Sequence, residues 1–295
     1  MPPRRFLQLD VFADRLFAGN PLAVVMDADG LDDVTMQRIA RWTNLSETTF
    51  LLPPTQPQAD YRVRIFTPRQ ELPFAGHPSV GSAYAAIEAG LVEPGKHALI
   101  QQCSAGLLPV RVSGDGPARI IHVQAPPARW HGVDDALRKQ LATALQVELA
   151  HDDVALVDNG PRWIVCNLAA AEPVRALQPD LAALAALCLR HETVGVSVFG
   201  RERSGPAAMA VRAFCPADGV PEDPVTGSAN AAIMAWLGAR GDRDGYGLAY
   251  RASQGREVGR DGLVEVTREA ATGAVTIGGA CVIGVSGEWR FPAAG

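Results

Sequence analysis

The chain repeats part of its own sequence, and this repeat restricts the fold more than any other feature. The segment VRIFTP at residues 63–68 matches VRAFCP at residues 211–216. A loop follows each copy, and then HPSVGSAYAAI at residues 77–87 matches DPVTGSANAAI at residues 223–233. Because self-similarity of this kind marks repeated structural units, we predict two halves that each contain a strand, a loop and a helix.

Both repeated helices carry sequence signals at their ends. Pro78 and Pro224 stand where proline is favoured, at the first helical position. Gly90 and Gly238 stand where a left-handed residue ends a helix. The second helix, predicted over residues 224–237, has no charged residue. Since a helix that is apolar or small on every side is buried on every side, we predict a central helix surrounded by curved antiparallel strands in each half.

Runs of apolar and β-branched residues predict the strands, and capped amphipathic runs predict further helices. The predicted strands are residues 8–12, 22–26, 49–52 and 61–66 in the first half, and 193–199, 209–214, 263–267 and 274–285 in the second. The predicted further helices are residues 33–42, 134–145 and 179–190, the first with Asp32 or Asp33 as N-cap.

The Pro126-Pro127 pair is typical of a crossing between domains. We predict an N-terminal repeat domain of residues 1–123 plus about 280–295, and a C-terminal repeat domain of residues 124–279. A length of 295 residues fits two domains of ordinary size.

Composition excludes several classes of function. The net charge of −5 is spread along the chain without a run of Lys or Arg, which argues against nucleic acid or acidic membranes as partners. No apolar stretch is long enough to span a bilayer, and we expect a cytoplasmic location. The five cysteines are scattered without a CxxC pair, and the six histidines are dispersed, so neither a disulfide framework nor a metal site is expected.

The starts of the two repeated helices are candidate binding elements. A helix N-terminus presents unpaired backbone N–H groups and attracts anions, and Gly76 and Gly227 let a ligand approach the backbone. We therefore expect these helix starts to bind a ligand that carries a carboxylate. The matching positions carry His77, whose residue type is the commonest acid/base side chain, and Asp223, which capping alone would also explain.

Glu47 marks a second difference between the halves. Aligning Phe50 with Phe199 places Glu47 opposite Val196. A charge at a position that is apolar in the other half is costly if buried and unpaired, and burial would raise its pKa towards that of a base active near neutral pH. The alternative is a surface glutamate at the edge of a strand.

Five motifs, in order and spread over most of the chain, resemble those of the PhzF-like family. They are FAGNPLAVV at 17–25, SETTF at 46–50, FAGHP at 74–78, EDPVTGSA at 222–229 and SQG at 253–255. The resemblance implies the diaminopimelate-epimerase-like fold, an α/β (α+β) fold of two pseudo-symmetric domains, each with a central helix, and an active site in the cleft between them. It also implies a homodimer and no cofactor.

The resemblance further implies an activity and its residues. The best-understood member isomerises trans-2,3-dihydro-3-hydroxyanthranilate in phenazine biosynthesis, where a glutamate removes a proton and returns it elsewhere. Carried over, Glu47 is the general base and acid, and His77 and Asp223 hold or protonate a small carboxylated substrate. The residues implied to contact that substrate are Asn20, Gly76, Gly227, Ser228, Gln254 and Gly255, although Asn20 could equally belong to a turn.

Two alternatives stay open at this point. One is an epimerase or racemase of an amino-acid derivative. A two-thiol mechanism is disfavoured because Cys215 lies upstream of the second helix start and its counterpart in the first half is Thr67. The other alternative is a non-catalytic protein that binds a small metabolite.

Overall fold

The computed structural model describes residues 3–290, apart from the side chain of Pro117. Residues 1–2 and 291–295, the latter being the end of the stretch predicted to join the N-terminal domain, lie outside the described residues. Contacts divide the chain into unit 1, residues 1–124 with 278–295, and unit 2, residues 125–277. The predicted domains, residues 1–123 plus about 280–295 and residues 124–279, stay a prediction.

In the first 124 residues, the four predicted strands and the two predicted helices are present, and the four strands β5 to β8 were not predicted. The strands are β1 (Arg4–Val11), β2 (Asn20–Val25), β3 (Thr48–Leu52), β4 (Tyr61–Phe66), β5 (Glu71–Leu72), β6 (Ala98–Cys103), β7 (Gly106–Ser113) and β8 (Ile120–Gln124). The helices are α1 (Asp33–Thr43), whose N-cap is Asp32, and α2 (Gly76–Glu88).

The segment from residue 125 onwards holds the elements of unit 2. Its strands are β9 (Arg129–Gly132), β10 (Val154–Asp158), β11 (Arg162–Ala170), β12 (Gly195–Arg201), β13 (Met209–Cys215), β14 (Val220–Asp223), β15 (Ala249–Gln254), β16 (Gly262–Arg268) and β17 (Val275–Gly279). Its helices are α3 (Asp135–Leu145), α4 (Ala171–Ala176), α5 (Leu181–His191) and α6 (Gly227–Ala239). The chain then returns to unit 1 as β18 (Cys281–Trp289).

Strand pairing follows the same pattern in both units. In unit 1, β1 and β2 are antiparallel, β2 and β3 parallel, β3 and β4 antiparallel, β4 and β6 parallel, and β6 and β7 antiparallel. In unit 2, β10, β11, β12, β13, β15 and β16 repeat this sequence of pairings. The duplicated α/β fold is thus confirmed, with the correction that the strands of each unit pair in both parallel and antiparallel directions.

The central helices are buried as their compositions predict. Helix α2 packs on β1, β2, β3, β4 and β8, and α6 packs on β10, β11, β12 and β16. The other helices are amphipathic and cover further apolar surface. The core under α1 includes Phe50 and Phe66, and the core of unit 2 under α3, α4 and α5 includes Phe214.

In unit 2 the strands β9, β10, β11, β14 and β15 were not predicted, and three further details differ from the sequence predictions. The stretch 274–285 is two strands, β17 and the start of β18, because the chain leaves one unit and enters the other within it. Gly238 lies inside α6, and the left-handed glycine after that helix is Gly241. Gly90 does follow α2 with φ 72°. The short helix α4 was not predicted, since six residues are too few to show a period.

Candidate active site

Glu47 lies in the short turn that joins α1 to β3. Helix α1 ends at Thr43 because Asn44 adopts a left-handed backbone and donates its N–H to the Ala40 carbonyl. The hydroxyls of Thr43 and Thr48 lie 2.6 Å apart and close the turn. Glu47 is therefore held between a helix and a strand, where its side chain has a defined direction.

The side chain of Glu47 faces His77 in the first turn of α2. Glu47 Oε2 lies 3.2 Å from His77 Nδ1, and the two side chains are only 16% and 6% exposed. Glu47 Oε2 and His77 Nε2 are both buried without a hydrogen-bond partner among the described residues. The two side chains are in contact without a well-directed hydrogen bond, and both keep capacity for another molecule. Buried polar atoms without partners are rare enough to need an explanation.

The surroundings of Glu47 act on its pKa in opposite directions. Burial raises the pKa, whereas the charge of His77 and polar contacts from His77 and Ser46 lower it, and the net result is a pKa below the ordinary value. The prediction of a raised pKa is wrong because it considered burial without the facing imidazole. The carboxylate is consequently ionised at neutral pH and can accept a proton.

Two related segments lead into the central helices. Residues 71–76 read ELPFAG and residues 222–227 read EDPVTG. In each unit the short strand is followed by three linking residues that begin with proline, and the helix begins at the glycine. Both helices are 13 residues long. Gly76 therefore corresponds to Gly227, and His77 corresponds to Ser228.

This correspondence corrects the predicted match between His77 and Asp223. Asp223 ends β14, which has four residues, and it corresponds to Leu72 at the end of the two-residue strand β5. Because β14 is two residues longer than β5, helix α6 begins later in its repeat than the sequence match predicts. Pro224 accordingly lies ahead of α6, and not at its first helical position.

The capping role considered for Asp223 is also wrong. The N-cap of α6 is Thr226, and no side chain caps that helix. The Asp223 carboxylate instead accepts a hydrogen bond from the Thr226 hydroxyl. This places a fixed carboxylate just before the first turn of α6.

The position of Glu47 has no charged counterpart in unit 2. When residues 63–68 are matched with 211–216, the register of β3 on β4 equals that of β12 on β13. In this register Glu47 corresponds to Gly195, and not to Val196 as predicted. A Cβ on Gly195 would lie 2.5 Å from a backbone carbonyl oxygen and 2.7 Å from a tryptophan ring. Unit 2 has no room for a side chain where unit 1 has its buried carboxylate.

The residues predicted to contact the substrate differ in secondary structure, burial and hydrogen bonding. Asn20 begins β2, is 2% exposed and accepts a hydrogen bond from the Ser46 hydroxyl at 3.4 Å, so it belongs to a strand and not to a turn. The Ser228 carbonyl accepts from Asn159 Nδ2 at 2.9 Å. Gln254 ends β15 and is fully buried.

Gly255 has a φ of 98°, and a Cβ there would lie 2.4 Å from the Pro224 carbonyl oxygen, so only glycine fits. The glycine therefore lets the segment after β15 pass close to the link that leads into α6. Contact between Gly255 and a substrate stays a prediction, as it does for Asn20, Gly76, Gly227 and Ser228.

Comparison with known proteins identifies the family. A family model described as phenazine biosynthesis-like protein, PhzC-PhzF, matches residues 9–287. The chain belongs to this family.

Relatives and a solved structure agree with the assignment to the PhzF family. The trans-2,3-dihydro-3-hydroxyanthranilate isomerase of Pseudomonas aeruginosa is 36% identical over 269 residues, covering 90% of this chain and 91% of that protein. Antisense-enhancing sequence 1 of Schizosaccharomyces pombe is 36% identical over 296 residues, covering 98% and 99%. A solved structure of a predicted epimerase from Pseudomonas aeruginosa is 28% identical with a TM-score of 0.79, covering 98% and 100%. PhzF membership supports isomerase or epimerase chemistry for this chain.

Within this PhzF-family protein, the side chains in the first turns of the central helices include no thiol. Gly76, His77 and Pro78 begin α2, and Gly227 and Ser228 begin α6. Among residues 3–290, no group of His, Cys, Asp and Glu has the arrangement of a metal site. No helix in this range is long and apolar enough to cross a membrane.

Sequence reasoning missed the residues that support the acid/base groups. Ser46 touches Glu47, and Thr226 touches Asp223. Both lie inside motifs that were recognised, one residue and three residues from the groups they contact. Their closeness in sequence to Glu47 and Asp223 was the available signal for these contacts. Closeness in sequence does not show the direction in which a hydroxyl points.

Proposed function

We propose that the chain is a cofactor-independent isomerase that moves a proton on a small carboxylated substrate, with Glu47 as general base and then general acid. The observation that carries the proposal is the buried Glu47–His77 pair. Its two side chains lie 3.2 Å apart, and each keeps a buried atom without a hydrogen-bond partner among the described residues. A pair that served only stability would be expected to satisfy these atoms.

The electrostatics of the pair suit a proton that is taken up and returned. The lowered pKa of Glu47 keeps the carboxylate ionised before reaction. The same lowered pKa makes the protonated carboxyl a stronger acid than an ordinary glutamic acid, so it readily gives the proton to another carbon of the substrate. A positioned acid/base group contributes about 10²- to 10⁴-fold in rate.

The start of α2 supplies a second element of this mechanism. Ala75 is its N-cap without a side-chain cap, and its first turn has no acidic residue. No side chain caps the backbone N–H groups of Gly76 and His77, and His77 Nε2 is a further buried group without a partner among the described residues. These groups would hold a substrate carboxylate or stabilise negative charge that develops during proton transfer.

Asp223 as a further polar partner of the substrate, and Gly227 and Ser228 as backbone and hydroxyl contacts, stay predictions that the family resemblance implies. An epimerase of an amino-acid derivative would use the same proton abstraction, and product stereochemistry separates the two outcomes. The homodimer, the cytoplasmic location and a role in phenazine biosynthesis stay predictions.

The test uses trans-2,3-dihydro-3-hydroxyanthranilate, the substrate in the name of one relative. Wild type and Glu47→Gln are incubated with it in heavy water, and product and deuterium incorporation are followed by NMR. We expect Glu47→Gln to lose at least about 100-fold in turnover. It should keep its fold, because glutamine has nearly the same size and shape as glutamate and places no new charge in the interior.

Glu148→Gln, a change at an exposed glutamate, is the matched control and should behave as wild type. Wild-type turnover by Glu47→Gln would eliminate Glu47 as the base. Binding of the compound by wild type without turnover or deuterium exchange would favour the non-catalytic alternative.

A further inference from the structure

Gln254 uses its whole side-chain amide inside unit 2. Its Oε1 accepts from the Thr226 backbone N–H at 3.0 Å and from Asn230 Nδ2 at 3.1 Å. Its Nε2 donates to the Asp223 carbonyl at 3.0 Å and to the Thr226 hydroxyl at 2.9 Å. A primary amide has two donor hydrogens and an acceptor oxygen with two lone pairs. All of them are used, and none is left for a substrate.

The orientation of this amide is set by its backbone partners. A backbone N–H can only donate, so the atom facing Thr226 N is the oxygen. A backbone carbonyl can only accept, so the atom facing the Asp223 carbonyl is the nitrogen. The amide therefore presents an N–H to the Thr226 hydroxyl.

The direction of the next hydrogen bond follows from this orientation. The Thr226 oxygen accepts from Gln254, so its single proton is free to point to the Asp223 carboxylate, which lies within hydrogen-bond distance. The Gln254 amide thus donates to the Thr226 hydroxyl, and the Thr226 hydroxyl donates to the Asp223 carboxylate. The backbone of Asp223 is held by the same amide, through its carbonyl.

We infer that Gln254, acting through Thr226, is a positioning residue that fixes the Asp223 carboxylate for reaction, and not the substrate contact predicted from sequence. The inference rests on the proposed function for the role of Asp223 in turnover. The orientation of Asp223 itself can be tested without turnover.

In unit 1 the strand register places Cys103 at the position of Gln254, and the buried glutamine nearby is Gln101. Gln101 is also fully buried, accepts from the Tyr61 hydroxyl at 3.1 Å and donates to the Ser79 hydroxyl at 3.0 Å. It thus joins the sheet to α2 as Gln254 joins the sheet to α6. No hydrogen bond described for Gln101 reaches His77, so only in unit 2 does the buried glutamine lead to an acid/base group.

The experiment compares variants of the two residues, Gln254 and Thr226, that lead to the Asp223 carboxylate. Thr226→Val removes the hydroxyl at nearly constant shape, Thr226→Ser keeps it, and Gln254→Met removes the amide. Ser197→Ala is the control, since it removes a buried hydroxyl of unit 2 that has no hydrogen-bond partner among the described residues. Crystal structures give the Asp223 side-chain conformation, and kcat and KM are measured with trans-2,3-dihydro-3-hydroxyanthranilate.

We expect Asp223 to hold one conformation in wild type, Thr226→Ser and Ser197→Ala, and to rotate or split into several in Thr226→Val. In Thr226→Val, kcat should fall at least about tenfold while KM changes by less than about threefold, because orientation and not binding is lost. Thr226→Ser should recover most of the lost kcat. If Gln254→Met does not fold, Thr226→Val still carries the test.

An Asp223 side chain that stays in place in Thr226→Val would overturn the inference, whatever the activity. Another outcome is that Asp223 is ordered in wild type and disordered in Thr226→Val while wild type does not turn the compound over. That result would support the positioning role of Gln254 and Thr226 and would contradict only the proposed function. Equal kcat in wild type and Thr226→Val, with Glu47→Gln inactive, would overturn the inference and leave the proposed function intact.

Discussion

Unit 1 and unit 2 build the same frame around their central helices. In each unit an arginine of the repeated strand pairs with the glutamate that begins the E-x-P-x-x-G segment. Arg64 Nη2 lies 2.6 Å from Glu71 Oε2, and Arg212 Nη2 lies 2.7 Å from Glu222 Oε2. These ion pairs tie the strand to the segment that leads into the helix, and they occur at corresponding positions.

The acid/base groups, in contrast, do not correspond. Glu47 and His77 of unit 1 match Gly195 and Ser228 of unit 2, while Asp223 of unit 2 matches Leu72 of unit 1. A pair present in both units points to a role in folding, and groups present in one unit only point to chemistry. The comparison thus separates the structural ion pairs of the molecule from the candidate catalytic pair.

The largest effect is expected from the structural pair of unit 2. Arg212 and Glu222 are both 8% exposed, and Arg212 also donates to the Leu177 carbonyl at 2.8 Å. Arg212→Met leaves Glu222 buried without its partner, which should cost about 3–5 kcal/mol in the free energy of unfolding. Urea denaturation followed by tryptophan fluorescence measures the loss.

Arg64→Met is the matched change in unit 1. Arg64 and Glu71 are 20% and 30% exposed, and the other partner, Asp33, is 80% exposed. Water can solvate the remaining carboxylates, so the cost should be about 1 kcal/mol. Equal losses for the two variants would show that the frames do not differ in burial as described.

The sequence predicts the frame better than the site. The strand over residues 61–66 and the start of α1 at Asp33 follow directly from apolar spacing and capping. The match of His77 with Asp223 failed because the two stretches look alike in sequence, while the longer β14 moves the helix start. The lowered pKa of Glu47 depends on a residue in another element, and neither local pattern nor motif gives the distance between them.

The second effect concerns the candidate catalytic pair and its pH dependence. His77→Gln removes the charge that lowers the pKa of Glu47 and leaves burial, which raises it. The base should then become protonated at higher pH than in wild type, so the acidic limb of the kcat/KM profile should move up in pH. At neutral pH, kcat/KM should fall by about 10²-fold.

Profiles of deuterium exchange for wild type and His77→Gln test this, with His97→Gln as the control because His97 is exposed in unit 1. An acidic limb that stays in place, or that moves to lower pH, would contradict the described coupling between His77 and Glu47.

A smaller effect is expected where unit 2 lacks the carboxylate. Gly195→Ala would place a Cβ 2.5 Å from the Phe214 carbonyl oxygen and 2.8 Å from Cys215 Sγ. Since both neighbours are held by strand β13, overpacking should cost about 2 kcal/mol. Gly132→Ala in β9, where nothing lies within 4 Å of the added carbon, should cost much less and is the control. An undisturbed Gly195→Ala would mean that unit 2 could also accommodate a side chain at this position.

The smallest effect should be the same in both units, and it tests whether the helices really correspond. Gly90 follows α2 with φ 72° and Gly241 follows α6 with φ 71°, and nothing lies within 4 Å of a Cβ at either position. Alanine at each should therefore cost about 1 kcal/mol through the left-handed backbone alone. Gly287→Ala in β18, also with open space, should change the free energy of unfolding little. A loss at Gly90 without one at Gly241 would show that α6 does not end as α2 does, and would weaken the match of Gly76 with Gly227 from which the contrast between His77 and Ser228 is drawn.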